Sequence, residues 1–192
     1  AHRDLAPESR PRVEAAVREF LGGLRTAYPA LPVAVMSALA EGGDRWVAQC
    51  ALDLDMALVA PLPLPPAQYE ADFADAESRA EFAALCARAQ VRVLPHAAGS
   101  SGDDRERQYA RVGVFIASHC QLLLALWDGR PSEGLGGTAD VVGFHLSGEM
   151  PGLPLDDAPP NLLAEDDSDL VFHLLCPRAR DTAAVFDRLP PT

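Results

Sequence analysis

The chain has 192 residues, 48% of them hydrophobic and 23% charged, with a mean hydropathy of +0.01. That balance excludes disordered, fibrous and membrane-embedded classes and predicts one globular core. There are 28 acidic residues against 16 basic ones, a net charge of −12. Every basic residue is arginine, which excludes Schiff-base lysine chemistry and a Walker-type P-loop. So acidic a surface also opposes general DNA or RNA binding.

Taken in chain order, helical and strand patterns alternate. Val13, Ala16, Val17, Phe20, Leu21 and Leu24 recur at helical spacing over residues 7–27, with Pro7 or Pro11 suited to the first turn. Residues 33–36 read as a buried strand, and Trp46, Val47, Cys50, Ala51 and Leu54 as one face of a second helix. A strand over 57–60 is expected to stop at the run Pro61-Leu62-Pro63-Leu64-Pro65-Pro66, an extended loop.

A third helix follows Asp75, its N-cap, with Phe82, Leu85 and Cys86 inward. Next come a strand over 91–94, a polar loop over 97–103, and a helix from about Asp104 carrying Tyr109, Val112, Phe115, Ile116 and His119. The apolar run 122–127 is a buried strand, and the glycine-rich loop 129–137 leads into a helix with Val141, Val142, His145 and Leu146. A proline- and acid-rich connection spans 149–168, a last strand 170–175, and a tail follows from residue 179. Short apolar strands alternating with helices predict an α/β, three-layer, Rossmann-like domain over residues 1–178 with a mostly parallel sheet. The first residues lead almost directly into a helix, so the usual opening strand lies upstream of Ala1 or another segment takes its place.

Ligands of such sheets bind beyond the carboxyl ends of the strands. Three stretches fall there. Gly134-Leu135-Gly136-Gly137-Thr138-Ala139-Asp140 opens a helix: Gly136 and Gly137 let a phosphate approach, and Thr138 adds a hydroxyl, or the same residues form an ordinary glycine turn with Thr138 as N-cap. Ser37, Glu41, Asp44 and Arg45 follow the 33–36 strand, able to grip ribose or base, or simply to start a helix. His2 and Arg3 stand at the start of the chain, and Asp128 at a strand end can accept from ribose hydroxyls or initiate a turn.

Ordered along the chain, three motifs carry a resemblance: Ala1-His2-Arg3, Ala40-Glu41-Gly42-Gly43-Asp44-Arg45 and Leu126-Trp127-Asp128-Gly129, with the later Gly136-Gly137-Thr138-x-Asp140. Together they resemble the SLOG superfamily, which includes the Lonely Guy phosphoribohydrolases and DNA-processing protein A, and in particular its bacterial sensor-type branch. The resemblance implies a Rossmann-like domain that binds or senses a nucleotide-derived small molecule, in an anti-phage or stress system, with an effector module elsewhere. It also implies a homodimer. The Lonely Guy branch hydrolyses the N-glycosidic bond of nucleoside monophosphates, and on this chain its roles would fall to Asp140 and to Arg111 or Arg107.

This chain departs from that branch in its shorter acid at Asp140, the inserted Arg130-Pro131-Ser132-Glu133, and Ala1 where the pattern has glycine. An interaction module with a degenerate pocket is the third reading. Cys50, Cys86, Cys120 and Cys176 are scattered without metal-finger spacing and read as reduced thiols of a cytoplasmic protein. Neither metal nor cofactor is expected. His119, His145 and His173 read as packing residues, and no apolar run or signal peptide predicts membrane contact.

Overall fold

The computed structural model describes residues 5–95, 102–153 and 170–180, the side chains of 102 and 103 excepted. His2 and Arg3, most of the acid-rich connection and all but the first two residues of the tail lie outside them.

The protein is mixed α/β with parallel strands. A 3-10 turn, Pro7–Ser9, leads into α1, Arg10–Ala27. Val13, Val17 and Leu21 fall at intervals of four and are its buried stripe. β1 (Ala34–Met36), α2 (Gly43–Asp53) and β2 (Ala57–Leu62) follow.

β2 corrects the expectation of a strand ending at Ala60: it runs through Pro61. Val59 accepts from the Ser37 N–H at 3.0 Å, so Val59 and, by alternation, Pro61 turn their backbone groups towards the β1 side. β1 has ended by then, and the missing proline N–H breaks no ladder bond. The rest of the expected extended loop, residues 63–65, is non-helical, and only its last residue, Pro66, enters a helix. A short α3, Pro66–Tyr69, starts on Pro66, followed by a 3-10 turn over Glu70–Asp72.

Asp75 caps α4 (Ala76–Arg88) as anticipated, accepting from the Ser78 N–H at 2.8 Å. β3 is Gln90–Val93, and α5, Gly102–His119, starts two residues earlier than expected. β4 (Leu122–Trp127) and β5 (Leu170–Leu175) flank α6, Thr138–Ser147.

Two parallel half-sheets result. The first is ordered β1-β2-β3, with Met36 opposite Val59 and Val59 opposite Gln90. The second is β4-β5, paired from Leu122–Leu170 to Trp127–Leu175. Residues of α1 and α2 share one apolar cluster with Val35 of β1, Leu124 and Leu126 of β4 and Leu174 of β5, so this helical layer spans both half-sheets. α4 extends that layer over β2, where Phe82 and Leu85 pack with Leu58, Ala60 and Leu62. On the opposite face Ile116 of α5 and Val142 of α6 pack with Leu123 and Ala125. Helix, sheet and helix make three layers. No helix among the described residues is long and apolar enough to cross a membrane.

Candidate functional site

The loops leaving the carboxyl ends of β1 and β4 open on one cavity of about 1080 Å³. Ser37, Ala38, Ala40 and Asp44 come from the first loop, residues 132–138 from the second, and Arg178 from beyond β5.

The first loop is held by its own side chains. Ser37 is buried; its hydroxyl donates to the Asp44 carbonyl at 3.0 Å and accepts from the Leu39 N–H at 3.2 Å. Leu39 takes a left-handed φ of +56°, unfavourable for a residue with a Cβ. The Arg45 Nε fixes the Leu39 carbonyl at 3.0 Å, so the strained residue is clamped on both sides. Gly42, with φ +85° and ψ −129°, occupies backbone space reserved for glycine and turns the chain into α2.

Arg45 is only 1% exposed and faces away from the cavity. Its Nη1 donates to the Ser78 carbonyl (2.9 Å), the Ser78 hydroxyl (2.8 Å) and Glu81 (3.0 Å), and its guanidinium lies 4.3 Å from the Phe73 ring centre. Glu41 likewise turns to the start of α4, accepting from the Ala74 N–H at 3.0 Å and from the Ser78 hydroxyl. These two predicted ligand groups bind the first loop to α4.

In the second loop Gly136 has φ +77°, and a Cβ there would stand 2.5 Å from the Ala110 Cα of α5. A Cβ on Gly137 would meet the Ser132 hydroxyl at 2.5 Å. Both glycines thus admit close packing within the protein. Asp140 accepts from the Gly136 N–H at 3.0 Å and its own N–H donates to the Ser132 hydroxyl at 3.2 Å. The N-cap of α6 is Gly137, so Thr138 is the first helical residue and not the expected cap. The N–H groups of Thr138 and Ala139 have no intrahelical acceptor at that position. Arg111 is exposed and does not reach the cavity, which α5 lines with Tyr109, Val112, Gly113 and Ile116.

Asp128 does not line the cavity but holds a residue that does. Its Oδ2 accepts from the Arg178 Nε at 2.7 Å, with the two side chains 3% and 7% exposed, and its Oδ1 accepts from the Arg130 N–H at 3.0 Å. Arg178 also reaches Glu133 at 3.3 Å, and hydrogen bonding and charge from Arg180 hold the Glu133 carboxyl below its ordinary range. The Tyr109 hydroxyl is pushed up by burial and by its bond to Asp72. Arg178 was not among the predicted residues. The sequence signal for it is an arginine three residues past the last strand, at the same carboxyl edge as the two loops.

The predicted histidines are packing groups. His145 is buried with Nδ1 3.1 Å from the Ala117 carbonyl, and the His119 ring stacks on Phe115. Among the described residues no cluster of three or more His, Cys, Asp or Glu could hold a metal ion. Compared with known proteins, the chain matches no protein-family profile and no curated protein.

Proposed function

We propose that this domain binds a nucleotide-derived small molecule at the carboxyl mouth of its cavity, and acts as a sensor for it. The observation that carries the reading is the convergence there of both carboxyl-end loops with Arg178. The ligand's phosphate sits on the first turn of α6, against the Thr138 hydroxyl and the N–H groups of Thr138 and Ala139, with Arg178 as counter-charge. The sugar or base lies towards Ser37 and Asp44. The ordered SLOG-like motifs support the same class of ligand.

Hydrolysis of the N-glycosidic bond gains no support, because Asp140 serves its own loop and Arg111 stands outside the cavity. The reading includes a cytoplasmic homodimer whose effector lies elsewhere. Sedimentation that finds only monomer over a wide concentration range removes the dimer.

The test is a thermal-shift screen against nucleotides, cyclic nucleotides, NAD and ADP-ribose derivatives, with chromatography of each mixture. Ligand at about 100 times its Kd adds roughly 2.7 kcal/mol. A rise with the nucleotide intact, lost in Thr138→Val, is the expected result. Released base would establish an enzyme instead, and no rise with any probe would leave an interaction module.

A further inference from the structure

The same cavity continues below the mouth as a slot through the middle of the sheet. Among the described residues β1 pairs only with β2 and β4 only with β5, yet both inner strands line the cavity along their lengths. In a parallel ladder each residue points its N–H and C=O to the same side, and successive residues alternate. The Ser37 N–H goes to β2, so Ala34 and Met36 present their backbone groups to the slot. The Trp127 carbonyl accepts from Cys176 on the β5 side, so Leu122, Leu124 and Leu126 face the slot from the other edge. Two parallel strand edges therefore confront each other, and among the described residues no strand lies between them.

Helices cover the slot on both faces: Phe20, Leu21 and Leu24 of α1 line it from one side, Val112 and Ile116 of α5 from the other. Phe20 stacks on Phe172 of β5 at 4.0 Å, which seats α1 across the break. Such surroundings are those of a central strand buried on both faces.

We infer that a further β-strand, supplied by the chain immediately N-terminal to Ala1, fills this slot parallel to β1 and β4. Connectivity decides the occupant. α2 and α4 carry the chain from β1 to β2 to β3 over one face of the sheet, and α5 returns it over the other face to β4. α1 lies in the same layer as α2. A right-handed crossover through α1 into β1 therefore starts from a strand one place before β1, which is the slot.

The chain also reaches α1 from the correct end. Leu5 forms an antiparallel bridge with Arg178, and the Ala6 N–H donates to the Pro177 carbonyl at 3.2 Å, just past the carboxyl end of β5. A strand parallel to its neighbours ends there. It sets β1 and β4 about 9.6 Å apart, twice the ordinary strand spacing, and leaves the mouth beside Thr138 open to ligand.

The test compares, by NMR, this chain with one extended by the residues its reading frame encodes before Ala1. In the extended chain the added residues give interstrand contacts to both β1 and β4 in the parallel pattern. The Met36 and Leu124 amides, which point into the slot, exchange at least about 100-fold more slowly than in the shorter chain. Direct β1–β4 contacts in either chain overturn the inference. So do contacts tying residues 154–169 or 181–192 to both edges, or upstream residues that touch neither edge. If the shorter chain does not fold, the interstrand contacts of the extended chain decide alone.

Discussion

The loops after β1 and β4 are built to one plan: small residues at a parallel strand's carboxyl end, a glycine that turns the chain, and an acid in the first helical turn. Their polar groups nevertheless point in different directions. In the β1 loop Glu41 and Arg45 turn inward to α4, and their loss would loosen the first half-sheet. In the β4 loop Ser132 and Asp140 tie the turn together, while Thr138 and the partnered Arg178 remain on the cavity wall. Glycine and charge in a sequence mark a turn at a sheet edge. Which side of the turn receives the charge is decided by the element packed behind it.

The largest effects should come from the two buried arginines. Removing the carboxylate in Asp128→Ala takes from the Arg178 guanidinium, 7% exposed, the buried acceptor that its Nε reaches at 2.7 Å. A loss of about 3–5 kcal/mol is expected in urea unfolding, most of it recovered in the double variant with Arg178→Met. A loss under about 1 kcal/mol would mean that the pair is solvated and the β4 side is not rigidly built.

Arg45→Met removes donors to Leu39, Ser78 and Glu81 at once and should cost about 3 kcal/mol. Because Arg45 faces away from the cavity, the surviving folded protein should keep its ligand-induced thermal shift. Full stability with loss of that shift would reverse the contrast between the loops.

Gly136→Ala comes next. It combines a left-handed backbone with a Cβ 2.5 Å from the Ala110 backbone, and about 2–3 kcal/mol should be lost in the same unfolding assay. Near-native stability would show that the second loop can move off α5.

Much of this was legible from residues alone. The strands 122–127 and 170–175 agree to the residue, because each is an apolar run bounded by polar or turn-forming neighbours. Asp75 announced α4, since an aspartate before an amphipathic run has one obvious donor to accept from. Pro61 misled, because its tolerance depends on where β1 ends, a fact of register and not of composition. The candidate site divides in the same way. Ser37, Asp44, Gly136, Gly137 and Thr138 reach one cavity, as their place after parallel strands implied. Arg45 and Glu41 do not, because Ser78 of α4 lies behind them, and no local pattern tells that α4 folds back there. Arg178 was missed because its significance appears only when β5 is placed beside β4.

A pH-dependent effect follows from the buried thiols. Burial pushes Cys50, Cys86 and Cys176 up to about 11 from an ordinary 9.0. A thiol raised on folding stabilises the fold below the unfolded value and loses that contribution as pH climbs to the folded one. The thiols' contribution to stability should therefore be level below about pH 9 and fall between about pH 9 and 11. Cys50 and Cys176, buried in the cluster that spans both half-sheets, should resist aromatic disulfide reagents at pH 8 until the protein unfolds. Rapid labelling of either in the native state would show that this shared layer opens.

The smallest expected change is also the sharpest control. Gly134 sits in the same loop as Gly136 and lines the same mouth, but a Cβ built on it meets nothing within 4 Å and its backbone is not left-handed. Gly134→Ala should therefore alter stability by no more than about 0.5 kcal/mol, and any change it makes in the ligand-induced shift must arise in the cavity. Paired with Gly136→Ala it separates the two uses of glycine in one loop, close packing against α5 and open space at the mouth. If both variants destabilise alike, the loop tolerates no side chain anywhere, and its glycines carry no information about a ligand. If Gly134→Ala is silent in stability but weakens the ligand-induced shift, the open part of the loop is where the ligand lies.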